Sequence, residues 1–262
     1  MGGSVRIERD EDERLAWLVF DHPERRNAIS VDMWRDIPEV VRQLEEDPAI
    51  RVVVMRGAGE LAFVAGADIS EFGEQRTGGA AQSYDVESGR AFGALANLRK
   101  PLIALIRGYC VGGGVAIALT ADMRYAATDA VFAIPAARLG LGYQLSGIEA
   151  LKALVGPSRA KEIFFTARRF DAGEALAMGL VNGVTPPEAI EKSVRDTALR
   201  IAENAPLTVG SVKRIVHELA REPGDRDIAA VNDSIRACFE SEDYREGVIA
   251  FLEKRPPRFR GR

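Results

Sequence analysis

The spacing of apolar and polar residues divides the chain into two regimes. Through residue 186, short apolar runs alternate with helix-compatible stretches; from Pro187 onward only helical periodicity is left. Leu15–Phe20 and Arg51–Met55 read as strands, the second mostly β-branched. Between them Ser30 can cap a helix over about Val31–Glu45, with Pro38 a potential kink and Asp47-Pro48 an end. A polar stretch around Thr77-Gly78-Gly79 leads to a helix over about Gln82–Leu98. Pro101 then opens Leu102–Ile106, an unbroken apolar run of the kind buried on both faces of a sheet. Gly108 breaks it, Gly112, Gly113 and Gly114 follow, and Val115–Leu119 is small, apolar and helix-compatible.

Ala130–Ile134 reads as another short strand and Pro135–Tyr143 as a loop. Helices are expected over about Gly147–Leu154, Arg159–Phe165 and Asp171–Met178. The last has Asp171 and Glu174 at capping-box spacing and Gly179 at its end; Val181–Val184 is a final short strand. Beyond it, Val212, Ile215, Val216 and Leu219 form one helical stripe, and Tyr244, Val248, Phe251 and Leu252 another; both are expected to face a core. The pattern predicts an α/β core over residues 1–186 and a helical C-terminal region over 187–262. A strand–strand–helix order recurs loosely within the first part.

Composition narrows the function classes. With 262 residues, 47% apolar and 28% charged, the chain reads as ordinary soluble protein. A net charge of −4 argues against nucleic acid as a partner, and no run is apolar and long enough for a membrane span. The basic end around Arg258, Arg260 and Arg262 reads as a solvated tail. Two cysteines, Cys110 and Cys238, make neither a disulfide framework nor a metal set, so a cytoplasmic setting and no metal are expected.

The candidate chemistry lies in backbone rather than side chains. The only histidines, His22 and His217, fit no nucleophile–base arrangement. Gly57-Ala58-Gly59 after a strand has the letters of a dinucleotide fingerprint, but the glycine-broken Phe63–Asp68 that follows is not helical, so that reading is rejected. Two glycine-rich turns remain, Val64–Asp68 and Gly112–Gly114, each after a strand. Their bare N–H groups can pack strand against helix, or can stabilise a developing negative charge.

Those turns carry a resemblance. Phe63-Val64-Ala65-Gly66-Ala67-Asp68-Ile69 resembles the F-x-A-G-A-D-[LI] motif of the crotonase superfamily, the enoyl-CoA hydratase/isomerase family. Gly108–Gly114 resembles its G-x-x-x-G-G-G motif, and Arg25-Arg26-Asn27-Ala28 its N-A-[LIM] loop. Ala172–Val184 and Glu246–Arg255 are similar to its later landmarks. The resemblance implies a spiral of strand–strand–helix turns, then a helical trimerisation region, with trimers as such or paired into hexamers. It implies an acyl-CoA thioester as ligand, and no cofactor beyond the coenzyme A of that substrate. By motif position, the N–H groups of Ala67 and Gly113 would bind the thioester oxygen. Arg25 and Arg26 would approach CoA phosphates, or else be exposed surface charge. Ala65, Asp68 and Ile69 would line the adenine region, with Asp68 equally suited to a turn role. Phe251 and Lys254 would close over CoA from their own or a neighbouring subunit.

Departures from the family pattern bear on the reaction. Hydratases of the family use two glutamates; Ala116 and Ala136 stand at those positions, and a methyl group can neither hold nor deprotonate water. Gly140–Ile148 (GLGYQLSGI) is similar to the methylmalonyl-CoA decarboxylase branch, with Tyr143 at that branch's tyrosine position and Arg138 and Gln144 beside it. That branch has histidine at the place of Ala67 and keeps the first glutamate. Tyr143 is therefore either a proton donor or a packing residue. The expected reaction is that of a lyase, decarboxylation first. The alternatives are a hydratase or isomerase using another acid such as Glu71, Glu74 or Glu149, and a non-catalytic acyl-CoA-binding protein.

Overall fold

The computed structural model describes residues 2–68 and 79–262, the side chains of residues 79–83 excepted. The chain opens with strands β1 (Ser4–Arg9) and β2 (Leu15–Asp21), paired antiparallel. Helix α1 (Val31–Glu46) follows, its first turn closed by the Ser30 hydroxyl accepting from the Met33 N–H, and it runs on through Pro38. Then come β3 (Val52–Gly57), β4 (Ala62–Val64) and α2 (Gly79–Asn97). The order repeats as β5 (Leu102–Ile106), β6 (Tyr109–Val111) and α3 (Gly113–Leu119). It repeats again as β7 (Met123–Ala127), β8 (Val131–Ala133) and α4 (Ala136–Leu139). In each of these three repeats the first strand enters a six-stranded sheet, ordered β1-β2-β3-β5-β7 and then β10 (Gly183–Thr185). The second enters a four-stranded one, ordered β4-β6-β8 and then β9 (Phe170–Asp171). The expected strand–strand–helix spiral is thus present.

Helix α5 (Leu145–Thr166) joins the two expected helices, with a break where Gly156 takes φ +75° before Pro157. Strand β9 (Phe170–Asp171) and helix α6 (Ala172–Ala177) follow, the latter with the anticipated Asp171–Glu174 capping box. After β10 (Gly183–Thr185) come four helices: α7 (Ile190–Ala202), α8 (Pro206–Leu219), α9 (Ile228–Glu240) and α10 (Glu242–Glu253).

Strand β2 shows how the core is divided. Ala16, Leu18 and Phe20 point to the side filled by Trp34, Ile37 and Leu44 of α1. Leu15, Trp17 and Val19 point to the side filled by Ile190, Val194 and Ala198 of α7. The first helix beyond residue 187 therefore covers one face of the central sheet. Helix α8 is tied to that sheet by Lys213, whose Nζ donates to Lys100 O at 2.9 Å and to Asp122 Oδ2 at 2.8 Å.

Both helical stripes of the C-terminal region correct the expectation that they face a core. Val212, Val216 and Leu219 are exposed, and so are Tyr244, Val248, Phe251 and Leu252. Periodicity reveals that a helix has an apolar face, not that its own chain covers it. Strands β1, β6, β7 and β9 and helix α4 escaped the sequence pattern, being short or mixed in character.

Candidate active site

The site begins where β4 ends. Residues 65–68 are strapped to the loop after β2: Ala65 N–H donates to Arg26 O at 3.1 Å, Ile29 N–H to Gly66 O at 2.9 Å, and Asp68 N–H to Ile29 O at 3.0 Å. That loop is itself held by Asn27, which is 1% exposed and left-handed at φ +57°. Its Nδ2 donates to Ala58 O at 2.9 Å and Ala62 O at 2.8 Å, and its Oδ1 accepts from His22 N–H at 3.0 Å. Gly66 takes φ +116°, a conformation that other residues rarely adopt. The strap leaves the Ala67 N–H without a hydrogen-bond acceptor among the described residues.

The second half of the site begins where β6 passes into α3. A Cβ on Gly114 would stand 2.0 Å from Val64 O, so only glycine lets α3 lie this close to β4. The result is the meeting of the two motifs. The Cβ that Gly113 lacks would lie 3.7 Å from Ala67 N and 3.8 Å from Cζ2 of Trp34. Gly113, as the first residue of α3, also has no acceptor for its N–H among the described residues. Two adjacent free donors backed by an indole can bind one oxygen that gains negative charge. Trp34 is buried, donates Nε1–H to the Tyr84 hydroxyl at 2.9 Å, and packs on Phe92 with ring centroids 5.0 Å apart.

Ala116 lies one turn along α3, half-buried, and Ala136 is the buried first residue of α4. Tyr143 sits between α4 and α5, half-buried, its ring edge-on to Phe164 at 4.8 Å. Gly147 makes room for it: a Cβ there would be 2.8 Å from Cε1 of the ring. Burial, with a smaller contribution from Cys110, pushes the Tyr143 phenol up to about 12, so it is protonated at neutral pH. Its hydroxyl has no hydrogen-bond partner among the described residues. Cys110, buried on β6, has its thiol pushed up by desolvation and is no nucleophile.

The other candidates scatter. Arg138, Gln144 and Glu149 are exposed, while Ile69, Glu71 and Glu74 lie outside the described residues. Asp68 is buried, Ala65 is half-buried, and Arg25 is exposed. Arg26 is also exposed, its guanidinium 4.9 Å from the centre of the Tyr109 ring. Phe251 is 83% exposed near the end of α10, and Lys254 caps that helix in the left-handed region. Neither has a hydrogen bond or ion pair to the residues around Ala67 and Gly113 among those described. Sequence reasoning missed Asn27 as the lock of the loop and Trp34 as the wall of the site. An asparagine in the polar loop between β2 and α1 was the available signal for a left-handed turn.

Comparison with known proteins agrees with this arrangement. The sequence model of the enoyl-CoA hydratase/isomerase family matches residues 10–262. The short-chain-enoyl-CoA hydratase of Clostridium acetobutylicum is 35% identical over 254 residues, 94% of each chain. The carnitinyl-CoA dehydratase of Proteus mirabilis is 37% identical over 251 residues, again 94% of each. The solved enoyl-CoA hydratase/carnithine racemase from Magnetospirillum magneticum superposes with a TM-score of 0.93 at 33% identity, covering 100% of this chain and 97% of that one. These relatives do not bear the decarboxylase name that the segment around Tyr143 suggested. Match, identity and superposition all run nearly end to end, and the chain belongs to the enoyl-CoA hydratase/isomerase family, with the crotonase fold.

Proposed function

We propose that this acyl-CoA enzyme binds the thioester oxygen of its substrate between the N–H groups of Ala67 and Gly113 and stabilises the enolate formed there. The observation that carries the reading is the adjacency of the two amides, with 3.7 Å between Ala67 N and the Cβ position of Gly113. Each such donor contributes on the order of 3 kcal/mol to a developing oxyanion. Ala116 and Ala136 provide no carboxylate, so the enolate arises without the two usual glutamates.

Decarboxylation of an acyl-CoA bearing a carboxylate on its α-carbon meets that condition. The bond between the α-carbon and the carboxylate breaks, CO₂ leaves, and the electron pair enters the enolate. The protonated Tyr143 hydroxyl then gives its proton to the α-carbon, and solvent restores it. The second reading is addition or removal of water using another acid, favoured by the hydratase and dehydratase names of the relatives. Malonyl-CoA and methylmalonyl-CoA with CO₂ detection, set against crotonyl-CoA hydration, separate the two. CO₂ release that Tyr143→Phe abolishes supports the first. Crotonyl-CoA turnover at the rate of ordinary hydratases, without CO₂ release, supports the second. Binding of all three esters without change to any would make the chain an acyl-CoA-binding protein.

The exposed apolar faces of α8 and α10 are the surfaces we assign to a homotrimer, with trimers free to pair. Light scattering on the purified chain tests this, and Val216→Asp is expected to lower the mass.

A further inference from the structure

Strand β7 carries a cation into the core. Arg124 and Ala126 face the same side of the six-stranded sheet, and Ala104 of β5 stands in register beside Arg124. Arg124 is 5% exposed, and among the described residues no carboxylate lies within ion-pair distance of it. Asp122, two residues earlier, is engaged by Lys213 Nζ at 2.8 Å and by Leu102 N–H at 2.7 Å. The guanidinium instead donates to three backbone carbonyls. Nη1 reaches Ala121 O at 2.6 Å and, more weakly, Ala118 O at 3.4 Å, and Nε reaches Leu180 O at 2.8 Å.

Ala118 and Ala121 mark the C-terminal end of α3, the helix whose first residue is Gly113. Carbonyls at such an end have no partner within the helix, and a cation there completes them. Packing alone does not call for a charge at this place. A buried guanidinium without an anion is costly, and an apolar side chain would fill the same space beside Ala104 and Ala126. What the guanidinium adds is a grip on α3 from behind and a positive charge that solvent screens little. Anchored only where Gly114 packs on Val64, a short helix would pivot about that contact. Held at its far end to β7 and Leu180 as well, it keeps the Gly113 N–H fixed beside Ala67 N.

We propose that Arg124 is a positioning residue for the oxyanion: it holds α3 so that the Gly113 N–H stays aimed at the thioester oxygen, and its charge favours the enolate formed there; this rests on the paired-amide reading above. Arg124 touches no part of the substrate and acts through α3.

Bound acetoacetyl-CoA reports the effect, since its ultraviolet band gives the ratio of enolate to keto form. That ratio is read in wild type, Arg124→Lys, Arg124→Gln and Asn182→Ala, together with calorimetric affinity for butyryl-CoA. Asn182 is the control: its Oδ1 accepts from the Arg124 backbone N–H at 2.8 Å, so its loss loosens the same strand and leaves the guanidinium in place. Arg124→Gln is expected to lower the ratio about tenfold, the effect of one little-screened charge roughly 12 Å away, and to bind butyryl-CoA within about threefold of wild type. Arg124→Lys keeps the charge but not the planar fork, and should lower the ratio about threefold. Asn182→Ala should lower thermal stability and leave the ratio unchanged. If Arg124→Gln does not fold, Arg124→Lys carries the test. A wild-type ratio in either folded arginine variant overturns the proposal. So does an equal fall in Asn182→Ala, or an equal fall in butyryl-CoA affinity. A wild type whose bound ligand keeps the free ligand's ratio overturns the paired-amide reading itself, and the role of Arg124 with it.

Discussion

Gly113 and Ala67 stand so close that the missing Cβ of the first would be in ordinary contact, 3.7 Å, with the amide nitrogen of the second. One fold element thus supplies each half of a two-donor site, and the glycine keeps the space between them open. Gly114, its neighbour, serves packing instead, since a Cβ there would overlap Val64 O at 2.0 Å. The two glycines are therefore expected to respond differently to the same change. Gly113→Ala should fold with wild-type stability and lose on the order of 100-fold in turnover, because its methyl fills the oxygen's place. Gly114→Ala should lose about 3 kcal/mol of stability by denaturant unfolding, because backbone has to move.

By motif position, Ala116 and Ala136 would occupy the places of the two glutamates that the resemblance assigns to the family's hydratases. If their methyl groups are what limits hydration, the double variant Ala116→Glu, Ala136→Glu should raise crotonyl-CoA hydration at least about 100-fold, the range of general acid–base catalysis. Absorbance of the conjugated thioester follows the reaction. No gain in a folded double variant would mean that another feature of the site blocks water chemistry.

Asn27 holds the strap between the β2 loop and residues 65–68. Asn27→Ala removes two side-chain hydrogen bonds to backbone carbonyls, the one to Ala62 O buried, and places alanine at φ +57°. A loss of about 2–4 kcal/mol in unfolding free energy is expected. Ligand affinity should fall as well, since Ala67 depends on the same strap.

How far was this readable beforehand? Leu102–Ile106 announced a strand buried on both faces, and Asp171 with Glu174 announced the start of α6, because each signal is local. The two amides were named from motif position; that they lie side by side depends on Gly114 meeting Val64, a contact between segments fifty residues apart. Tyr109–Val111 was missed as a strand because three residues next to a glycine carry too little pattern. Val212, Val216 and Leu219 misled for another reason: an apolar face is written the same way whether its cover is the same chain or another molecule.

Tyr143 has its phenol pushed from 10.0 up to about 12 by burial. The neutral form is favoured in the folded state, so this contribution to stability is complete below pH 10 and declines as pH rises towards 12. Thermal unfolding of wild type should therefore steepen its loss over that window, and Tyr143→Phe should show a smaller loss. If Tyr143 is the proton donor, turnover is flat in pH from this group up to the same window.

The paired amides are tested most directly by a ligand that reports its own charge. Acetoacetyl-CoA forms an enolate with a distinct ultraviolet band, and its fraction at fixed pH measures how strongly a site favours the oxyanion. Bound to wild type near neutral pH, it is expected to show a marked increase in the enolate band over free ligand, and bound to Gly113→Ala to show little. An enolate band that is the same free and bound, or the same in both proteins, would contradict the assignment of Ala67 and Gly113.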